Sequence, residues 1–431
     1  AGDVFICLGA QAYIANAIAA GAVAILCEAK KDSQAGYLLE EIESTPIIFV
    51  PQLRHQLSRL AQLRYVSSKA FPPIIGVTGT NGKSTLVALI AQLLTLANTQ
   101  SKIATVGTLG VGVHGEQPHF TGMTTPDLLT NYKYMASFAE ANVSAVTMEV
   151  SSHGLDQGRV VGLPIQTAIF TNLTQDHLDY HQTLAAYANA KKQLFEMPSV
   201  RRCIINADDP FAQLMAGAVH NNQVIYYGLN AKLQQENNNY IFAKNIHASS
   251  RGTVFEVFSS WGTALIHSPL YGKFNVYNCL AAICAAVLEG INFNDVVELI
   301  PHLKPIPGRM QLISPNCQVQ VIVDYAHTPD ALEQTLIALK AHTLGRLWVV
   351  FGCGGNRDRQ KRALMGAIAE DLADEVVLTS DNPRDEDPGN ILQDIAAGCK
   401  NDNYVFIDRK QAIEFALTHA EAGDCVLIAG K

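Results

Sequence analysis

The residues best equipped for chemistry stand together in Gly76-Val77-Thr78-Gly79-Thr80-Asn81-Gly82-Lys83-Ser84-Thr85, between the apolar runs Ile74-Ile75 and Leu86–Leu94. A glycine-rich turn between a buried strand and a helix lets backbone N–H groups close around phosphate oxygens. The helix end adds partial positive charge, the lysine reaches the terminal phosphates and the hydroxyl faces a divalent cation. Gly79, Thr80, Asn81, Gly82, Lys83, Ser84 and Thr85 are therefore expected to cradle a nucleoside triphosphate, with Mg²⁺ at Ser84. The spacing departs from G-x-x-x-x-G-K-S/T, because only Thr80 and Asn81 separate Gly79 from Gly82.

Further groups fall at the ends of apolar runs. Glu149 closes Val143–Glu149 and could hold Mg²⁺ as a hard oxygen ligand; a solvated strand-end carboxylate is the plainer alternative. His177 and His181 share helical i, i+4 spacing, but the Glu of His-Glu-x-x-His is missing, so zinc is disfavoured. Lys191-Lys192, on its own, reads as a solvated helix face. Asn275 and Asn278 open a long apolar helix and face one way. Near the C-terminus, Arg357 and Arg384 follow neighbouring strands and could each grip a carboxylate bidentately, unless Asp358 or Asp385 neutralises them.

Strands and helices must alternate to place these groups. Residues 1–70 read as a small α/β layer of strand, helix, strand, helix, strand: Val4–Leu8, a helix around Ile14–Ile18, Ala22–Cys27 and Pro46–Val50. Ser67–Pro73 is a plausible linker. From 71 to 305 the near-continuous apolar runs Lys102–Val106, Val143–Val150 and Ile165–Phe170 suit parallel strands buried on both faces, with ligands beyond their carboxyl ends. Residues 202–273 suggest an antiparallel appendage, with Gln234–Asn239 as a loop. Lys304-Pro305-Ile306-Pro307-Gly308-Arg309 breaks the helical pattern and marks a hinge. From 306 to 431 a second alternation, with strands at Val319–Asp324, Leu347–Phe351, Glu375–Ser380, Tyr404–Ile407 and Cys425–Ala429, predicts a doubly wound fold.

Composition narrows the classes. At 431 residues the chain has room for two or three cores. A net charge of −8 without a basic block argues against nucleic acid or an anionic membrane as partner. No apolar run is long enough for a membrane span, and the opening Ala-Gly-Asp lacks the order of a signal peptide. Nine cysteines without a Cys-x-x-Cys pair suggest neither a disulfide framework nor a zinc knuckle, and fit a reducing cytoplasm.

Taken together, the phosphate loop, Glu149-Val150-Ser151-Ser152-His153-Gly154, Thr171-Asn172-Leu173 with Asp176-His177-Leu178-Asp179-Tyr180-His181, Gly308-Arg309, Asp324-Tyr325-Ala326-His327-Thr328-Pro329 and Asp381-Asn382-Pro383-Arg384 resemble the Mur ligases, in their order and over nearly the whole chain. The resemblance implies a three-domain α/β architecture, with a central P-loop ATPase-like parallel sheet and a Rossmann-like C-terminal domain. It implies that Lys83, Lys191 and His177 are catalytic, that Ser84, Glu149, His177 and a carbamylated Lys191 ligate Mg²⁺, and that Asn275, Arg309 and Asp324 hold ATP. Thr124, Thr125, Ser151, Gln157 and Arg159 would line the path of UDP-N-acetylmuramoyl-L-Ala-D-Glu. Arg357, Asp381, Asn382, Arg384 and Gly430 would bind meso-diaminopimelate, whose second carboxylate Arg384 would pair. It further implies a cytoplasmic enzyme of peptidoglycan synthesis, working as a monomer. A lysine-adding relative, a folylpolyglutamate synthase-like ligase and a non-ligating ATP switch are the alternatives. The chain departs from the family pattern before Ala1, after Gly9 and beyond Gly430-Lys431, so terminal and loop residues are expected to be missing.

Overall fold

The computed structural model describes residues 2–8, 11–29, 38–42, 44–66, 69–219, 223–232, 239–249, 252–313, 318–356, 358–401 and 403–430. The chain forms two compact units. The first is Ala1–Phe71 with Pro126–Ala141 and Gly158–Leu163, and the second is Pro72–Thr125, Asn142–Gln157 and Pro164–Lys431.

In the first unit, β1 (Val4–Cys7), β2 (Ala24–Glu28), β3 (Leu38–Ile42) and β4 (Thr45–Val50) form a sheet of order β1-β2-β4-β3. Cys7, Ile14, Ile25, Cys27 and Ile47 make its core, with Ile14 supplied by α1 (Ile14–Ala19). Where a helix is expected between the second and third strands, the described residues show β3, and 30–37 lie outside them. The short run of β3 returns through Ser44, at φ 64°, to pair antiparallel with β4. So short a segment between turns satisfies its backbone better on a sheet edge than in a helix, whose first and last turns leave groups unpaired. Helix α2 (Leu53–Tyr65) packs on α3 (Leu128–Glu140), which Asp127 caps by accepting from the Thr130 N–H. The expected linker at 67–73 lies partly outside the described residues.

The second unit holds two sheets. The larger has ten strands: β5 (Ile74–Thr78), β6 (Ile103–Gly107), β7 (Gly110–Val113), β8 (Ala145–Glu149), β9 (Ile165–Phe170), β10 (Arg202–Asn206), β11 (Gln223–Gly228), β12 (Tyr240–Ser249), β13 (Gly252–Ser259) and β14 (Gly262–Ser268). Their order is β14-β13-β12-β11-β10-β9-β5-β8-β6-β7. Every residue of β5 and β8 is buried, as parallel strands covered on both faces require. The 202–273 segment is antiparallel only in part. β10, buried along nearly its whole length, and β11, buried at Ile225, Tyr227 and Gly228, extend the parallel sheet, and the alternating β12–β14 form the antiparallel edge. The Gln234–Asn239 tract falls almost wholly outside the described residues.

Helix α4 (Lys83–Ala97) carries the phosphate-loop lysine and packs beside the apolar helix α9 (Lys273–Leu288) on one sheet face. Between them in sequence come α5 (Ser152–Asp156), α6 (Leu178–His181), α7 (Leu184–Lys192) and α8 (Ala212–Ala216). After α10 (Phe293–Leu299) the chain passes to the smaller sheet, and Gln92 pins the crossing: its Oε1 accepts from the Lys304 N–H at 2.7 Å and its Nε2 donates to the Lys304 carbonyl at 3.2 Å.

The smaller sheet comprises β15 (Gln311–Leu312), β16 (Gln320–Asp324), β17 (Leu347–Phe351), β18 (Glu375–Thr379), β19 (Tyr404–Phe406) and β20 (Cys425–Ala429), in the order β15-β16-β20-β17-β18-β19. It is parallel except for the edge strand β15, which the sequence pattern did not reveal. Helices α11 (Pro329–Lys340), α12 (Gln360–Leu372) and α13 (Pro388–Ala396) share one apolar cluster with the sheet, and α14 (Arg409–His419) packs in another with Trp348, Val350 and Val426. The strands are thus covered on both faces. Among the described residues the cysteines are free and no helix is long and apolar enough to cross a membrane.

Helices α12 and α13 approach backbone to backbone, because a Cβ on Gly366 would lie 2.2 Å from the Ile395 carbonyl oxygen. Overpacking of this kind costs about 1–3 kcal/mol. Gly366→Ala is expected to lower the free energy of unfolding by that amount, read as a lower urea midpoint at an unchanged slope; an unaltered midpoint would show that the helices part freely.

Candidate active site

The turn after β5 is held by the segment that follows β9. The Thr80 N–H donates to the Asn172 carbonyl at 2.8 Å, the Asn81 N–H donates to Asn172 Oδ1 at 2.9 Å, and Thr171 Oγ1 donates to the Asn81 carbonyl at 2.7 Å. Only glycine fits at 79, where a Cβ would lie 1.8 Å from Thr171 Oγ1. With its turn pinned from outside, the loop keeps its shape without a ligand, and the orphan N–H groups at the start of α4 remain for an anion.

Two lysines converge on this loop. Lys83 Nζ donates to the carbonyls of Gly79 at 2.9 Å and Thr80 at 2.8 Å, and Lys191 Nζ donates to the same Gly79 carbonyl at 2.8 Å. Lys191 is 1 % exposed, not on a solvated face. Tyr187, one turn earlier on α7, faces the same way, and Lys191 Nζ stands 4.2 Å from its ring centroid. Burial lowers the pKa of both amines. Lys83 is partly restored by Glu149 and Asp176, whereas Lys191 is pushed well below 10.5 by burial and then by the charge of Lys83.

Glu149 is likewise buried, at 1 % exposure, where a solvated end was the plain alternative. It accepts from the Thr108 N–H at 2.7 Å. Its carboxylate and the Ser84 hydroxyl line one cavity of ≈ 380 Å³, and Ser84 Oγ accepts from Arg309 at 3.1 Å. These hard oxygen donors fit Mg²⁺. His177, at φ 54°, borders a different cavity, with Nε2 3.4 Å from Asp176 Oδ2. Burial above all, against the pull of Asp176, brings its pKa down to about 4, so at neutral pH the imidazole is uncharged and able to ligate a cation. His181 does not pair with it on a metal: its Nε2 meets Ser152 Oγ at 2.9 Å. Among the described residues no three His, Cys, Asp or Glu side chains converge on one point, so a bound cation would need ligands of another kind.

Asn81, Thr85, Asn275, Arg309 and Asp324 line a cavity of ≈ 350 Å³ between the phosphate loop, α9 and the end of β16. Asn278 Nδ2 donates to Asn275 Oδ1 at 2.9 Å, so the two amides do face one way. Arg309 lies 4.3 Å over the Tyr325 ring. Asp324 accepts from the Met310 and Ala326 N–H groups at 2.7 and 2.9 Å and from Thr335 Oγ1 at 3.3 Å, so it shapes the cavity wall more than it offers a free carboxylate.

Of the residues tied to the sugar-peptide path, Thr125 Oγ1 donates to the Glu149 carbonyl at 2.9 Å and accepts from the Ser151 N–H at 3.0 Å. Thr124 Oγ1 meets Thr108 Oγ1 at 3.1 Å, and Gln157 Nε2 donates to Tyr180 Oη at 3.3 Å. Arg159 belongs to the first compact unit. Asp381, Asn382, Arg384 and Gly430 gather with Asp176 and His177 around a cavity of ≈ 350 Å³ at the carboxyl ends of the smaller sheet. Asp385 engages Asn356 Nδ2 at 3.1 Å, and Arg384 donates to the Gly355 carbonyl, so the alternative in which Asp385 neutralises Arg384 is not what the described residues form. Arg357 lies outside the described residues. Sequence reasoning missed Tyr187, Thr108, Asp330 and Arg362. The first had a signal, its i, i+4 spacing to Lys191; the others are brought in only by tertiary folding.

The sheet orders, the phosphate loop and the cavities at strand ends define an ATP-dependent α/β ligase. Residues 77–286 match the Mur ligase middle domain and 308–431 the Mur ligase glutamate ligase domain. The whole chain is similar to UDP-N-acetylmuramoyl-L-alanyl-D-glutamate–2,6-diaminopimelate ligases, with 43 % identity to that of Ralstonia nicotianae over 86 % of the relative and 41 % to that of Buchnera aphidicola over 87 %. A solved structure of an enzyme of that name aligns over the whole chain and 87 % of its own length, with TM-score 0.70 and 37 % identity. Folylpolyglutamate synthase of Mycobacterium tuberculosis shares the fold alone, with TM-score 0.70 and 19 % identity over 88 % of this chain and 92 % of that one. The chain belongs to the Mur ligase family.

Because Lys191 is uncharged in the fold over part of the range where it is charged in the unfolded chain, the unfolded state binds more protons between its lowered pKa and 10.5. Its contribution therefore makes stability rise with pH in that window. Urea midpoints of the wild type and Lys191→Met, taken between pH 7 and 10, are expected to show a shallower rise in the variant. Parallel curves would mean that the amine titrates normally.

Proposed function

We propose that this chain joins meso-diaminopimelate to the D-Glu side-chain carboxylate of UDP-N-acetylmuramoyl-L-Ala-D-Glu at the expense of ATP, in the cytoplasmic synthesis of peptidoglycan precursors. The observation that carries the reading is one cavity shared by Asp176 and His177, beside the phosphate loop, and by Asp381, Asn382 and Arg384 at the ends of the smaller sheet. An activated carboxyl group formed at the loop would lie open to an amine held by those strand ends.

A carboxylate lacks a leaving group for amide formation, and ATP supplies one. The glutamyl oxygen attacks the γ-phosphorus, the bond to the β–γ bridging oxygen breaks, and ADP departs to leave an acyl phosphate. Lys83 and the helix N-terminus spread the charge on the transferring oxygens. The neutral amine of diaminopimelate then attacks the acyl carbon, the tetrahedral adduct expels phosphate, and the ammonium proton is lost. No protein nucleophile is required. Ser84 and Glu149 would hold one Mg²⁺ and a carbamylated Lys191, with His177, a second, and these ions would neutralise phosphate charge. Carbamylation requires a neutral amine, and the buried, depressed Lys191 favours that form. Arg309 would leave Ser84 for a phosphate, and Arg384 would meet the second carboxylate of diaminopimelate.

Phosphate release should require both the UDP-dipeptide and the amino acid. Arg384→Ala is expected to raise KM for diaminopimelate roughly thirtyfold or more, the low end of what an unpaired charge at an interface costs, with the preference over L-lysine lost. Equal use of lysine by the wild type would defeat the assigned specificity. Labelled bicarbonate should give a carbamate ¹³C resonance in the wild type and none in Lys191→Arg; its absence from both would refute the modification.

A further inference from the structure

Arg362, on the first turn of α12, is wholly buried and touches none of the candidate ligand positions. Its guanidinium donates through Nη1 to Glu386 Oε2 at 2.9 Å and Asp394 Oδ2 at 2.8 Å, and through Nη2 to Glu386 Oε1 at 2.9 Å and the Gly354 carbonyl at 3.3 Å. It thus joins the turn after β17, the turn after β18 and helix α13. Glu386, 27 % exposed on its side chain, is drawn down to about 2, chiefly by these bonds and then by the Asn356 N–H that it also accepts.

The two turns are stitched to each other as well. The Gly355 N–H donates to the Asn382 carbonyl at 2.9 Å, Asn356 Nδ2 donates to Asp385 Oδ2 at 3.1 Å, and the Asp385 N–H donates to Asn356 Oδ1 at 3.3 Å. They lie so close that a Cβ on Gly355 would stand 1.8 Å from the Pro383 carbonyl oxygen. Within this frame Asn356 and Arg384 both have left-handed backbones, at φ 49° and 51°. Asparagine tolerates that region; arginine does so only where its surroundings over-determine it. Glu386 follows Arg384 by two residues, and its bidentate attachment to a buried fork anchors the turn just beyond the strained position, while the Asn356–Asp385 bonds tie it to the neighbouring turn.

We infer that the Arg362–Glu386 pair is a positioning device for amino-acid specificity, holding the turn after β18 so that Arg384 presents its guanidinium to the distal carboxylate of the incoming amino acid. The inference rests on the proposed role of Arg384. Asp394 completes the neutralisation of Arg362 from α13, and the exposed Arg359, 3.0 Å from Asp394, is an outer partner without a bond to either turn. When Glu386 loses its charge, residue 384 is free to relax towards ordinary backbone angles and its guanidinium leaves the cavity rim. Groups at the phosphate loop and the nucleotide cavity are unaffected.

The test compares Glu386→Gln with Arg384→Ala and Arg359→Ala in the full chain, reading KM for each substrate and the ratio of kcat/KM for meso-diaminopimelate to that for L-lysine. Displacing a clamp group by about an ångström can cost up to about a hundredfold, so Glu386→Gln is expected to raise KM for diaminopimelate about tenfold or more and to reduce the ratio similarly. KM for ATP and for the UDP-dipeptide should stay as in the wild type, as should every parameter of Arg359→Ala. A purely structural role would lower thermal stability without moving the ratio. Should Glu386→Gln fail to fold, Glu386→Asp serves in its place, since it keeps the charge but is one methylene too short to hold both Nη groups of Arg362 from the same backbone position. A folded variant with unchanged diaminopimelate KM, while Arg384→Ala is impaired, overturns this inference alone. If Arg384→Ala is itself unimpaired, the reading of the site falls and the inference falls with it.

Discussion

The carbonyl of Gly79 receives two lysine side chains, and the rest of the site depends on that convergence. Burying an ammonium costs several kcal/mol per ion, and a hydrogen bond to a charged group returns only about 1.5–3 kcal/mol. Two ammonium groups on one acceptor are therefore under pressure to lose a proton or gain an anion. A triphosphate relieves Lys83 by supplying the anion. Lys191, beside Tyr187, is pushed towards the neutral amine by its burial and by the charge of Lys83. Under the proposed mechanism the same physical constraint would prepare one lysine to meet phosphate and the other for conversion from cation to anion.

Among the contacts by which the smaller sheet bears on that centre, two engage Asn81 and Ser84. Asn81 Nδ2 donates to Asp330 Oδ2 at 2.9 Å, linking the phosphate loop to the first turn of α11, and Arg309 reaches Ser84. Both contacts occupy groups that a nucleotide and its cation would claim, so ligand binding and the seating of the smaller sheet draw on the same side chains. Gln92 fixes the chain at Lys304, and the stretch that follows is held as well: Ile306 is buried in the core of the larger sheet and its carbonyl accepts from the Arg309 N–H at 3.0 Å.

At the far side of the shared cavity the chemistry is carried by turns rather than by regular elements. Such turns are accurate only if something rigid holds them. Here a buried arginine, two carboxylates and a set of backbone bonds between the turns supply the rigidity. A buried ion pair is weak evidence of stability in itself, so its presence beneath the turn proposed to set specificity is better understood as a device for geometry.

Nucleotide binding was legible locally, because a phosphate loop needs a strand, glycines, a lysine and a hydroxyl in sequence, and the class of enzyme came from the resemblance carried by the whole series of motifs in order. The long apolar runs of β5, β8 and β17 were likewise legible, since burial on both faces leaves no alternation to misread. What tertiary structure decided was everything that depends on partners distant in sequence. Lys191 reads as solvated until α7 is laid against the phosphate loop more than a hundred residues away. β3 reads as helix until its neighbour is known, because a short segment takes its conformation from the sheet edge it meets. Arg362 gives no signal, since an arginine on a polar helix turn is ordinarily solvated; only packing against Glu386 and Asp394 buries it. Local patterns record what the backbone must do, whereas the charge state and aim of a side chain are set by neighbours that the linear order does not place beside it.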